Sequence, residues 1–240
     1  MTSAPNLSIC IPCFNEAKVI GANTERVLRE ASLLEPRLEI ILCNDGSQDH
    51  TQRELDALAA TYPEVVAVGY EGNRGAGHAF RRALDVARGA YVVHMDADLA
   101  MAPGEVCATC LDRLQHQRWD VAIASRYLGV AADYPLRRSL PSQSYRALYR
   151  LLFRLPVTDA MSGFFGFRRE ILHHIPSLRS DGFELYLELF AKAKAQGFSL
   201  TEFPAKFVHQ TESGEVSVFR TAPRQLAATL RLWRHCRMTG

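Results

Sequence analysis

The stretch Tyr91-Val92-Val93-His94-Met95-Asp96-Ala97-Asp98 decides how the rest of the chain is read. Its first half is an apolar run rich in β-branched and aromatic residues, the pattern of a buried strand. Its second half carries two carboxylates spaced so that both can leave the end of a sheet together. Carboxylate oxygens suit a hard divalent cation such as Mg²⁺ or Mn²⁺, which commonly bridges a few acidic side chains to the phosphates of a nucleotide. Aspartate also caps helices and starts turns, so the pair alone leaves both readings open.

Upstream, Leu7 to Cys13 reads as a strand, broken by Pro12-Cys13-Phe14-Asn15-Glu16 before a helix from about Lys18 to Leu34. Leu38 to Cys43 is a second apolar strand, and Asn44-Asp45-Gly46-Ser47-Gln48-Asp49 turns it into a helix around Arg53 to Ala60. Val65 to Tyr70 predicts a third strand, followed by Gly72-Asn73-Arg74-Gly75-Ala76-Gly77 and a helix to Ala87. Downstream of Asp98 come a helix from Gly104 to about Gln117, a strand from Val121 to Ala124, a helix from Asp181 to Ala195 and a short strand from Leu200 to Phe203. Strand and helix alternate at βαβ spacing, which predicts an α/β fold with a largely parallel sheet flanked by helices. Ligands of such sheets bind outside the carboxyl ends of the strands, where Asn15, Glu16, Asp45, Asp96 and Asp98 all fall. The glycine stretch follows the third strand rather than the first and lacks the third glycine of a dinucleotide fingerprint, so a turn with close helix packing explains it better.

At 240 residues and 48% hydrophobic content the chain can bury one full α/β core. A formal net charge of +2 exerts no global pull on nucleic acid. No run reaches the length of a membrane span, and Met1 to Leu7 lacks the basic and apolar regions of a leader, which places the expectation in the cytoplasm. Six cysteines then read as free thiols of a reducing compartment. Cys10/Cys13 and Cys107/Cys110 are C-x-x-C pairs, but they lie far apart on a strand and a helix, which fits buried core thiols better than a zinc ribbon.

Two segments are basic and free of acids. Between Asp133 and Asp159, Arg146, Arg150 and Arg154 recur every fourth position on a helix read from Ser144 to Leu155, with Tyr145, Leu148, Tyr149 and Leu152 as its apolar face. After Glu215, Arg220, Arg224, Arg231, Arg234 and Arg237 flank a stripe of Leu226, Leu230 and Trp233. One such helix is ordinarily a solvated surface; two point to an anionic membrane surface. The domain is therefore expected over residues 1–218, with a basic amphipathic C-terminal helix over 219–240. Asp159 next to Ser and Gly suits a cap or turn, and Glu184 and Glu188 share a helix face on which pairing or solvation suffices.

In combination these segments resemble the family 2 glycosyltransferases of the GT-A fold, in particular the dolichyl and polyprenyl phosphate sugar synthases. Ile11-Pro12-Cys13-Phe14-Asn15-Glu16 is similar to I-P-x-Y/F-N-E, and Asn44-Asp45-Gly46-Ser47 to D-D-G-S. Asn73-Arg74-Gly75 resembles N-R-G, and Met95-Asp96-Ala97-Asp98-Leu99 matches M-D-A-D-L. Ser125-Arg126-Tyr127 is similar to S-R-Y, and Met161-Ser162-Gly163-Phe164-Phe165 to M-S-G-F-F. The likeness runs from about Leu7 to Val218.

The resemblance implies a single GT-A, Rossmann-like domain and a metal-dependent, inverting transfer of mannose or glucose from a nucleotide sugar, GDP-mannose or UDP-glucose, to a polyprenyl phosphate. It implies that Pro12, Phe14, Asn15, Glu16 and Asp45 hold the nucleotide, while Asp96 and Asp98 bind Mg²⁺ or Mn²⁺ on its diphosphate. Arg126 and one of Arg137 and Arg138 would meet phosphate groups, with Ser162 on the acceptor side. Asp159 to Phe165 would line the reaction centre, making Asp98, Arg126 and Asp159 the catalytic candidates. The enzyme would sit peripherally on the cytoplasmic membrane face, with room for a membrane-embedded partner. Four positions depart from the family pattern: Asn44 replaces an Asp, Ala100 a frequent Gln, Tyr186 an Asp, and Glu215 stands where a cation is expected. These leave open a soluble acceptor, nucleotidyl transfer, or a catalytically silent partner of a membrane glycosylation complex.

Overall fold

The computed structural model describes residues 4–128, 136–206 and 226–234, the side chains of 136–143 excepted. Seven strands form one sheet: β1 (Leu7–Cys13), β2 (Leu38–Asp45), β3 (Val65–Tyr70), β4 (Tyr91–His94), β5 (Val121–Ser125), β6 (Phe165–Arg168) and β7 (Leu200–Pro204). The helices are α1 (Ile20–Ser32), α2 (Thr51–Thr61), α3 (Ala76–Val86), α4 (Pro103–Leu111), α5 (Leu136–Phe153) and α6 (Glu184–Ala195), followed by α7 over 226–234.

Every residue of β2 is buried, as expected of a central parallel strand covered on both faces. Strand alternation divides its side chains: Leu38, Ile40 and Leu42 enter a core shared with α1, α2 and α4, while Ile41 and Cys43 enter one shared with α3 and α6. The same alternation sends Cys10 and Cys13, three residues apart, to opposite faces of β1. They therefore cannot ligate one ion. The five described cysteines are free and buried, and burial pushes the Cys107 thiol up to about 12.

The strand order is β3-β2-β1-β4-β6-β5-β7. From β1 the chain builds outward through β2 and β3, then returns to place β4 on the other side of β1, all in parallel. A crevice opens at that reversal, beyond the carboxyl ends of β1 and β4. The sheet is less uniform than the sequence pattern predicts, because β6 pairs antiparallel with both β4 and β5. Gly166 in β6 admits this packing: a Cβ there would lie 3.0 Å from Cys110 on α4.

Several boundaries also differ. β4 stops at His94, so Asp96 and Asp98 lie in the turn beyond the sheet rather than in the strand. α5 starts at Leu136, ahead of the expected Ser144, and α4 gives way to a π-helical turn over Asp112–His116. Gly75 and Gly77 serve helix packing, since a Cβ on either would meet the backbone of Asp181 or Gly182 at 2.4 Å.

Candidate active site

Three loops meet at the crevice. In the loop after β1, Asn15 adopts a left-handed φ of 58°, which Asn tolerates better than most residues. Its amide donates to Ser47 Oγ at 3.0 Å, and its Oδ1 accepts from the Gln48 amide at 2.8 Å. The Glu16 amide donates to Thr51 Oγ1 at 2.8 Å. The loop after β1 is thus stitched to the loop after β2. Pro12 is half-buried at the end of β1, and Phe14 stands out at 41% exposure, an aromatic face open to a planar ligand.

Asp45 is placed differently. It is 2% exposed and accepts from Tyr70 Oη at 2.7 Å, Asn73 Nδ2 at 3.0 Å, and the Arg74 and Gly75 amides at 2.8 and 2.9 Å. Its carboxylate holds the loop after β3 and raises the Tyr70 phenol, after burial, well above its ordinary pKa. Asn44 is likewise engaged, donating to Gln52 Oε1 at 2.8 Å and accepting from the Ser47 amide at 2.9 Å. Beside these loops lies a cavity of about 660 Å³ lined by Asn44, Ser47, Gln48, Gln52, Gly69 and Asn73 among others.

Beyond β4, the chain turns sharply. The Leu99 amide donates to the Asp96 carbonyl at 3.1 Å, the Ala100 amide donates to Asp98 Oδ1 at 3.1 Å, and Leu99 is held at φ 48°. A buried leucine in the left-handed region is strained, by about 1–3 kcal/mol, and persists because its surroundings demand it. Burial and the neighbouring charges of Asp98 and Glu16 push Asp96 up to about 7, with Arg126 opposing. Burial, Asp98 and Asp49 push Glu16 up to about 7 as well. Glu16, Asp96 and Asp98 therefore form a cluster of carboxylates in which the charge of Asp98 raises both of the others.

The donor set fits a hard divalent ion. Among the described residues no group of three or more His, Cys, Asp or Glu side chains is arranged to enclose one, so the pocket suits an ion that draws further oxygens from a ligand. Gly163 lets the Asp96 carboxylate pack against the turn before β6: a Cβ at 163 would lie 1.8 Å from Asp96 Oδ2.

Arg126, just after β5, grips Asp159 with a two-pronged pair, Nε to Oδ2 and Nη2 to Oδ1, both at 2.8 Å, and its amide adds a third bond at 3.1 Å. Glu202 on β7 supports the pair from behind, accepting from the Asp159 amide at 2.6 Å and the Thr158 hydroxyl at 3.0 Å. Asp159 is 1% exposed and already matched to a cation. Ser162 is 1% exposed, and its hydroxyl bonds both the amide and the carbonyl of Phe164 at 3.2 Å, shaping the turn before β6. Arg137 and Arg138 lie in α5 with side chains outside the described atoms, and Glu215 lies outside the described residues.

The structure brings Glu16, Asp96, Asp98, Arg126 and Asp159 into electrostatic contact. Sequence reasoning passed over Glu202 and the His94 and Gly163 support under Asp96. Tyr186, noticed only as a departure, reaches the same support through His94.

A parallel half-sheet carrying a carboxylate pocket at its reversal point, closed by an antiparallel strand, is the architecture of the GT-A glycosyltransferases. The chain belongs to glycosyl transferase family 2, whose model matches residues 8–175. It is 31% identical over 210 residues to the polyprenol monophosphomannose synthase of Mycolicibacterium smegmatis, covering 84% of this chain and 77% of that protein. It is 30% identical over 232 residues to the glycosyltransferase AglD of Haloferax volcanii, covering 95% of this chain but only 37% of AglD. The fold is shared with the mannosyltransferase PcManGT of Pyrobaculum calidifontis, solved with GDP-Man and Mn²⁺, at a TM-score of 0.64 and 20% identity over 95% of this chain and 64% of that one. It is also shared with the glucosyl-3-phosphoglycerate synthase of Mycobacterium tuberculosis, solved with Mn²⁺, UDP-glucose and phosphoglyceric acid, at a TM-score of 0.68 and 18% identity over 95% and 80% of the two chains.

Proposed function

We propose that the protein transfers a hexose, mannose or glucose, from a nucleotide sugar to a polyprenyl phosphate. The observation that carries this reading is the convergence of Glu16, Asp96 and Asp98, with Asp96 and Glu16 both pushed up to about 7, one arginine away from Asp159. Pro12, Phe14, Asn15 and Glu16 hold the nucleotide, and Asp45 keeps the loop after β3 in place beneath it. Asp96 and Asp98 hold Mg²⁺ or Mn²⁺, which offsets the charge that gathers on the departing nucleoside diphosphate.

Asp159 is gripped by Arg126, so it positions that arginine. A phosphate monoester loses its second proton with a pKa of about 6 and so attacks at neutrality without a strong base. The described site accordingly needs no catalytic histidine. Attack opposite the leaving group inverts the anomeric centre.

A lipid acceptor is supported by the two basic helices. α7 docks on α5 through Tyr145 and Thr229, whose hydroxyls lie 2.5 Å apart, with Thr229 and Leu232 buried. Leu151, Leu226 and Leu230 remain exposed, as do Arg150 and Arg154 at the end of α5 and Arg231 and Arg234 on α7. No helix among the described residues is long and apolar enough to cross a membrane. In this reading the enzyme sits peripherally on the cytoplasmic membrane face, alone or with a membrane-embedded partner. A soluble phosphorylated acceptor is the second reading, favoured by the shared fold with an enzyme solved with phosphoglyceric acid.

The test is transfer from labelled GDP-mannose and UDP-glucose, each with Mg²⁺ or Mn²⁺, to a short polyprenyl phosphate. Organic-phase label that vanishes with EDTA is expected. Nucleoside diphosphate release without organic label would move the acceptor to a soluble molecule, and absence of both would remove the transfer reading.

A further inference from the structure

The evenly spaced arginines of α5 are not equivalent. Arg150 and Arg154 are exposed, whereas Arg146 is half-buried with its guanidinium carbon 3.8 Å from the ring centroid of Tyr127. Its Nε is buried and has no hydrogen-bond partner among the described residues. A charged donor left buried and unpaired is costly and calls for an explanation, of which a bound anion is one. Stacking on the phenol occupies the face of the guanidinium and holds its plane, so the in-plane donors are the ones left to meet a partner.

The place of Arg146 is informative. Arg126 approaches the same Tyr127 ring, at 5.7 Å, and Arg126 is the arginine whose fork is engaged by Asp159 and whose charge reaches Asp96. Arg146 and Asp159 also act in opposite senses on the Tyr149 phenol, which donates to the Thr158 carbonyl at 2.7 Å. Arg146 thus stands one aromatic ring from Arg126, on the side of the basic helix. The Nε/Nη2 edge of Arg126 is taken by Asp159, which Glu202 holds in place through the Asp159 amide.

We propose that Arg146, aligned by Tyr127, is the receptor for the phosphomonoester of the acceptor and a determinant of acceptor specificity. Arginine suits this ligand because its planar donors match phosphate oxygens in pairs, which a lysine cannot do. The proposal rests on the transfer reading above for the name of its ligand, not for the existence of the site.

The experiment measures equilibrium binding of farnesyl phosphate, 3-phosphoglycerate and inorganic phosphate to the full chain with Mn²⁺ and nucleoside diphosphate present. Wild type is compared with Arg146→Gln, Arg146→Lys and Tyr127→Leu, and sugar transfer is followed on the same preparations. Arg146→Gln is expected to weaken phosphate binding by about 10- to 100-fold, the worth of a charged hydrogen-bonding partner, with nucleoside diphosphate affinity unchanged. Arg146→Lys, which keeps the charge and the aliphatic stem, is expected to recover only part of that loss, and Tyr127→Leu to fall between. Loss confined to farnesyl phosphate marks a lipid acceptor; loss confined to 3-phosphoglycerate marks a soluble one. Wild type that binds none of the three, or Arg146→Gln and Arg146→Lys binding all three as wild type does, would overturn the proposal. Phosphate binding that depends on Arg146 without any sugar transfer would remove the transfer reading and leave the receptor standing.

Discussion

Tyr186 donates its hydroxyl to Nε2 of His94 at 3.0 Å, and Nδ1 of His94 lies 2.7 Å from the carbonyl oxygen of Gly163. A carbonyl only accepts, so Nδ1 carries the proton and Nε2 is left to receive the tyrosine hydroxyl. The imidazole stacks on Phe165 with the planes 1° apart, and both His94 and Tyr186 are almost wholly buried. A side chain 92 residues from His94 in sequence thus holds, through that histidine, the backbone of Gly163, against which the Asp96 carboxylate rests. Tyr186→Phe removes one hydroxyl and orphans Nε2. It is expected to lower stability by about 1–3 kcal/mol in urea unfolding and to weaken Mn²⁺ binding in the presence of nucleoside diphosphate. Unchanged stability would show that the hydrogen bond does not hold this part of the fold.

Burial lowers His94 to about 4, below its ordinary 6.5. The unfolded chain therefore binds a proton in this window that the folded chain refuses. The stability contributed by neutral His94 is present above pH 6.5 and is lost as pH falls towards 4. Asp96 and Glu16 act in the opposite sense, because their folded values near 7 exceed their ordinary 3.8 and 4.5. Their contribution is present at low pH and is lost as pH rises through 7. Above pH 6.5 the carboxylates alone vary, so the metal-free protein is expected to lose stability from about pH 6.5 to 8. Mn²⁺ should reverse this trend, and the Mn²⁺-induced rise in melting temperature should be larger at the upper end of that range. Asp96→Asn should flatten the metal-free slope and abolish the Mn²⁺ response; a Mn²⁺ response retained in this variant would exclude Asp96 as a ligand.

Gly163→Ala tests the same carboxylate by crowding it. The added methyl would lie 1.8 Å from Asp96 Oδ2, so either the carboxylate or the turn before β6 must move. Mn²⁺ affinity, read by calorimetry or by the electron paramagnetic resonance of the free ion, is expected to fall by about tenfold or more. An affinity equal to wild type would mean that Asp96 is free to reorient and that Gly163 has no part in the site.

The parallel half of the fold was legible because its signal is local. Each strand from β1 to β4 is an apolar run ending in turn formers, and the carboxylates sit where such strands end. β6 was not legible: Phe-Gly-Phe-Arg is four residues long, and its place between β4 and β5 depends on Gly166 meeting Cys110 across the core. For the site, Asp45 and Arg126 were found by motif, but their partners Tyr70 and Asp159 lie 25 and 33 residues away, and no local spacing marks such pairs. Arg146, Arg150 and Arg154 looked alike as a helical stripe, and only tertiary packing on Tyr127 set Arg146 apart.

The membrane assignment depends on what the exposed apolar residues do. Leu151 is 76% exposed, and Leu226 and Leu230 are 41% and 38% exposed, while Arg150 and Arg154 at the end of α5 and Arg231 and Arg234 on α7 are exposed as well. Burying three leucines in an interface contributes about 1.5–3 kcal/mol each at most, and juxtamembrane arginines add about 1 kcal/mol each on anionic lipid. The combined effect suits reversible rather than permanent attachment. Sedimentation with anionic liposomes is expected at low salt, with release as ionic strength rises and little binding to neutral liposomes. Replacing Leu151, Leu226 and Leu230 by Ser should weaken sedimentation at every salt concentration. It should leave transfer to a detergent-dispersed short polyprenyl phosphate largely intact, since none of the three belongs to the carboxylate pocket. Failure of the wild-type protein to sediment at low salt would remove the membrane surface as a partner and favour the soluble acceptor.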